Sequence, residues 1–148
     1  MRRRRLAALV TAVSVALAGC GTTSLSAAQL RTRATRICAA AELRTDRIAT
    51  PARLNQSARF LRLGVAALAP EVTALGQLRP PRDLVGRYRQ ALAAGDGELR
   101  ALRFSLRGLK AGDDPVVAIK TLQQQLAVLE APGNRSWSFL GVPACASR

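Results

Sequence analysis

From Ser26 to Leu140 the apolar residues recur at spacings of three and four, with no stretch of strand-like alternation. That rhythm commits the chain to helices that each bury one face. Ser26-x-x-Gln29 matches a capping box and starts the first helix. Leu30, Ala34, Ile37, Cys38, Ala41 and Ile48 form its apolar line, and it must end before Pro51. A second line runs Leu54, Ala58, Leu61, Val65, Leu68, Val72 and Leu75, alternating four and three. Pro70 lies within it and is expected to kink the helix, and Arg79-Pro80-Pro81 ends it, with Pro81 offered as the next helix start.

The third line is Leu84, Tyr88, Leu92, Gly95, Leu99, Leu102, Leu106 and Leu109. Gly95-Asp96-Gly97 weakens its middle, by about 1 kcal/mol per Gly relative to Ala. The rhythm keeps phase across the glycines, so one helix is expected, with two shorter ones as the alternative. Asp114 is placed as an N-cap with Pro115 at the first helical position. Val116, Ile119, Leu122, Leu126 and Leu129 continue a fourth helix. Pro132-Gly133 is expected to interrupt it, Trp137 and Leu140 stay in phase, and Gly141-Val142-Pro143 reads as its stop. The expected fold is all-α: an antiparallel four-helix bundle over residues 26–148, with second and third helices of 25–29 residues.

The N-terminus has a different character. Arg2 to Arg5 are basic, Leu6 to Ala18 are apolar, and Leu17-Ala18-Gly19-Cys20 follows. The apolar run is too short for a permanent membrane span. The three parts together resemble the signal peptide and lipobox of bacterial lipoproteins. That resemblance implies removal of residues 1–19, acylation of Cys20 and residence of the mature chain on the outer side of a membrane. Residues 20–25 would then be the lipidated cysteine and a short polar tether. Two or more acyl chains anchor stably, whereas one binds reversibly.

With Cys20 consumed by lipid, Cys38 and Cys145 remain, an even number in an oxidising compartment. A Cys38–Cys145 disulfide is expected, against the alternative of two free thiols. Ile37-Cys38-Ala39-Ala40, Leu78-Arg79-Pro80-Pro81, Tyr88 and Leu140-Gly141-Val142-Pro143-Ala144-Cys145 resemble small secreted or lipid-anchored helical proteins of high-GC Gram-positive bacteria. Those carry one Cys in the first helix and one after the last. The resemblance implies a disulfide-tied bundle and no activity.

Composition narrows the chemistry. The 148 residues contain no His, which excludes Ser-His and Cys-His nucleophile pairs and Glu-x-x-His di-iron ligation. Aromatics make up 3%, too few for platforms that stack single-stranded nucleic acid. Glu42 and Asp46 sit one helical turn apart, but a solvated face beside Arg44 and Arg47 explains them better than an acid/base or metal site. Gly95-Asp96-Gly97-Glu98 lacks the ligand spacing of a calcium loop. No catalytic residue, metal ligand or cofactor is assigned, and the chain is read as non-enzymatic.

The formal charge of +14 carries more information. Arg33, Arg36, Arg44 and Arg47 fall along one stripe of the first helix, and Arg82, Arg89, Arg100, Arg103 and Arg107 along one stripe of the third. Residues 20–110 hold a net +10, and residues 111–148 are neutral. Basic stripes are the footprint of polyanion binding, or simply a solvated face written in Arg. Outside a bacterial membrane the available polyanions are lipid head groups and wall polymers, not nucleic acid. The expected function is therefore that of a lipid-anchored envelope protein binding an anionic surface, a wall polymer or another envelope protein. The alternative is a carrier holding a small apolar or anionic ligand between its helices.

Overall fold

A computed structural model describes residues 24–146. Four helices make up the bundle: α1 (Ala27–Thr45), α2 (Ser57–Gly76), α3 (Val85–Ala111) and α4 (Pro115–Leu140). Single 3₁₀ turns precede α2 and α3, and another, Pro143–Cys145, follows α4. Neighbours in sequence pack together, α1 on α2, α2 on α3 and α3 on α4. Short connections make successive helices antiparallel. Residues 1–23, which hold the expected signal peptide, the expected lipidation site Cys20 and the start of the expected tether, lie outside the described residues.

Local chemistry sets the helix ends. The Ser26 hydroxyl accepts from the Gln29 N–H, and the Gln29 side chain accepts from the Ser26 N–H, closing the capping box. Asp114 accepts from the N–H groups of Val116 and Val117, with Pro115 in the first turn. Gly112 and Gly141 adopt the left-handed conformation, with φ of 102° and 72°. Beyond them Asp113 donates to Gly108 O and Val142 to Trp137 O, the six-to-one bonds of Schellman ends.

The interior has two centres. One joins Leu30, Ala34 and Cys38 of α1, Leu75, Tyr88, Ala91, Trp137 and Leu140 with Val142 and Cys145. The other joins Leu61, Ala101 and Leu122, with Phe60, Leu106 and Ile119 packed around them. The Cys38–Cys145 disulfide, with Cα atoms 5.2 Å apart, ties the C-terminal turn to α1.

Several sequence expectations are corrected. The second helix begins at Ser57, because Leu54 sits in a 3₁₀ turn and is 57% exposed, so α2 has 20 residues instead of 25–29. α1 ends at Thr45, which leaves Ile48 and Arg47 beyond it. Pro81 caps a 3₁₀ turn containing Arg82 and does not begin α3 itself. α3, by contrast, runs unbroken through Gly95-Asp96-Gly97 as the sequence rhythm predicts. α4 likewise runs unbroken through Pro132, where an interruption is expected from sequence. Pro132 lies on the exposed face, as does Val128, whose carbonyl it leaves without a helical donor. Solvent can serve that carbonyl, so the helix continues.

The glycines explain the α3–α4 contact. A Cβ on Gly133 would lie 2.8 Å from the Ala94 Cβ, and one on Gly97 would lie 2.9 Å from a Leu129 methyl. Ala94, Gly97, Ala101 and Ser105 are all buried, although none except the nearby Gly95 belongs to the apolar line read from sequence. They form a small-residue seam that lets α4 approach α3 closely. Residues chosen for close approach thus look, in sequence, like helix weakeners.

Candidate functional site

The arginines divide by what their side chains do. Arg31, outside either stripe, donates from Nε to the Leu140 carbonyl at 3.0 Å and so satisfies the end of α4. Arg44 is half-buried and donates to the Ala67 carbonyl at 3.3 Å, pinning α1 to α2. Of the first stripe, Arg33 and Arg36 remain exposed on α1, while Arg47 lies past the helix end beside Arg59. The second stripe is more open. Arg82, Arg89, Arg100, Arg103 and Arg107 are all exposed, the first in the 3₁₀ turn and the rest on α3. The two stripes are separated by α2 on one side and by α4 with the C-terminal turn on the other.

Apolar exposure accompanies the second stripe, and it includes Phe104 and Phe139, which fall off the apolar lines of the sequence. Val117, Val128 and Phe139 of α4 are 62%, 73% and 61% exposed. They are spaced by eleven residues, which is three helical turns, so they share one line. Phe104 of α3 is 61% exposed beside them. Phe104, Val128 and Leu129 line an open groove of about 500 Å³ with Gly97, Arg100 and Ala101. Phe104 also borders a second hollow with Val117 and Thr121, which closes at Asp113 and Asp114. Arg100 and Arg107, four before and three after Phe104, flank it on the same face. At the far end the Arg87 guanidinium lies 4.8 Å from the Phe139 ring centroid, a cation–π contact.

The interior is closed and structural. Trp137 is buried and meets Tyr88 edge-on, with ring centroids 5.8 Å apart. The Tyr88 hydroxyl donates to the Leu75 carbonyl at 2.6 Å, capping the last turn of α2. Burial raises the Tyr88 pKa far above the ordinary phenol range. A cavity of about 120 Å³ lies between α2, α3 and α4, lined by Leu68, Glu98, Leu126, Glu130, Asn134 and Trp137 among others. Glu42 and Asp46 are exposed, and Asp46 terminates α1. No group of three or more metal-ligating side chains is assembled among the described residues. No described helix is long and apolar enough to cross a membrane. Comparisons with family models, curated proteins and solved structures found no match.

Proposed function

We propose that the chain is a lipid-anchored, non-catalytic protein of the cell envelope, held on the outer face of the membrane through Cys20, whose basic surface engages an anionic partner. The observation that carries this reading is the line of exposed guanidiniums, Arg82, Arg89, Arg100, Arg103 and Arg107. Structural arginines behave differently here, since Arg31 and Arg44 are spent on helix-end and interhelix carbonyls. The N-terminal pattern of four arginines, an apolar run and Leu17-Ala18-Gly19-Cys20 supports the anchor. The alternative carrier role has weaker support, because the inner cavity, at about 120 Å³, is smaller than the ~300–1,000 Å³ of ordinary ligand sites, and the larger α3–α4 groove is open to solvent.

The test is retention of the detergent-solubilised full chain on an immobilised anionic polymer of glycerol phosphate across a salt series. The expected result is retention at low salt that weakens steeply as salt screens the charges, with Arg100→Glu/Arg107→Glu eluting earlier. Lack of retention at low salt, or elution unchanged by the substitutions, contradicts the reading.

A further inference from the structure

We propose that the exposed α3–α4 face is a membrane-docking face, on which the bundle lies against a bilayer carrying anionic head groups. This rests on the anchored, anion-binding reading above and deepens it by naming the face and its partner. Phe104, Val117, Val128 and Phe139 project from this face at 61–73% exposure, over about 33 Å of α4. Arg100 and Arg107 flank Phe104, and Arg87 stacks on Phe139. A row of large apolar side chains bordered by arginines is the arrangement by which helices settle into the head-group region of anionic membranes. Glu98, half-buried, and Glu130, exposed, stand at the inner cavity with Trp137 and Cys145, while Asp96 lies one turn before Arg100 and Asp113 and Asp114 mark the end of the face.

Charge selects the occupant. Pairing with a second copy through a two-fold axis would set this arginine-bordered face against itself, whereas an anionic bilayer complements it. The chain path allows the contact. Leu25 donates to the Arg79 carbonyl, which fixes the start of α1 at the end of the bundle where α4 finishes. The five residues from Cys20 to Leu25 reach at most about 18 Å when extended. The tether therefore leaves the bundle from the end at which α4 finishes, the end where Arg87 stacks on Phe139.

The test uses the full chain carrying Phe104→Trp, Val128→Trp or, as the control face, Leu43→Trp on α1, mixed with vesicles of brominated phosphatidylglycerol and phosphatidylcholine. Trp137 is 3% exposed and supplies a constant background. Bromine quenching of Trp at 104 and 128, with none at 43, is the expected result. Adding Arg100→Glu/Arg107→Glu should reduce that quenching several-fold, as should vesicles of phosphatidylcholine alone. Equal quenching at all three positions, or none at 104 and 128, overturns the proposal. So does a stable dimer in which Trp at 104 is shielded from the lipid. A Cys20 peptide without acyl mass, with quenching at 104 and 128 intact, overturns the anchor alone and leaves the docking face standing.

Discussion

Single residues in this chain carry roles that their type conceals. Gly133 and Gly95 are both glycines in helix interiors, yet their surroundings differ. A methyl at Gly133 meets Ala94, whose Cβ cannot swing aside, whereas a methyl at Gly95 meets a Val72 methyl at an ordinary 3.6 Å. Gly133→Ala should therefore lower stability by about 1–3 kcal/mol through overpacking. Gly95→Ala should leave stability unchanged or raise it by up to about 1 kcal/mol, because Ala favours helix. Urea unfolding of the two variants checks both outcomes. Tyr88 reads in sequence as one more apolar position, but its hydroxyl serves Leu75 O inside the core. Tyr88→Phe leaves that carbonyl without its donor and should cost about 1–3 kcal/mol. The raised Tyr88 pKa adds a pH dependence whose sign is fixed. The neutral phenol is favoured in the folded state, so its contribution is complete below the unfolded value of 10.0 and is lost as pH rises above it. Thermal unfolding followed from pH 9 to 11 should show the midpoint falling above pH 10, more steeply in the native chain than in Tyr88→Phe.

At the scale of elements, ends governed by side-chain chemistry were legible and faces governed by tertiary packing were not. The Ser26–Gln29 box, the Asp114–Pro115 start and the Gly141 stop follow from local hydrogen bonds, and each stands where the sequence puts it. The start of α2 was misplaced because Leu54 continues the heptad rhythm while standing outside the helix. The buried face of α2 includes Ser57 and Glu71, which an apolar count passes over. The small-residue seam of α3 escaped for the same reason, since Ala94, Gly97, Ala101 and Ser105 interrupt no pattern and announce none. Arg31 and Arg44 resemble their exposed neighbours in sequence, and only the positions of Leu140 O and Ala67 O distinguish them. Asp114→Ala should destabilise α4 by about 1 kcal/mol by freeing the Val116 and Val117 N–H groups, measurable as a lower urea midpoint.

Across the whole molecule, the Cys38–Cys145 bond joins residues 107 apart in sequence and holds the C-terminal turn against α1. A loop of that length corresponds to about 4–5 kcal/mol in the chain-entropy description. Reduction should lower the thermal midpoint markedly, most of all for the cluster around Leu30, Trp137 and Cys145. Charge and apolar exposure together give the molecule a sided surface, basic and apolar along α3–α4, that the net charge alone did not locate. The proposed anchor at Cys20 would join that surface to a membrane, and the proposal turns on it. Growth with a clickable fatty acid, followed by isolation of the native chain and its Cys20→Ala variant, addresses it directly. Label is expected on the peptide beginning at Cys20 in the native chain and on none in the variant. An unlabelled native chain whose Cys20 remains a free thiol would contradict it.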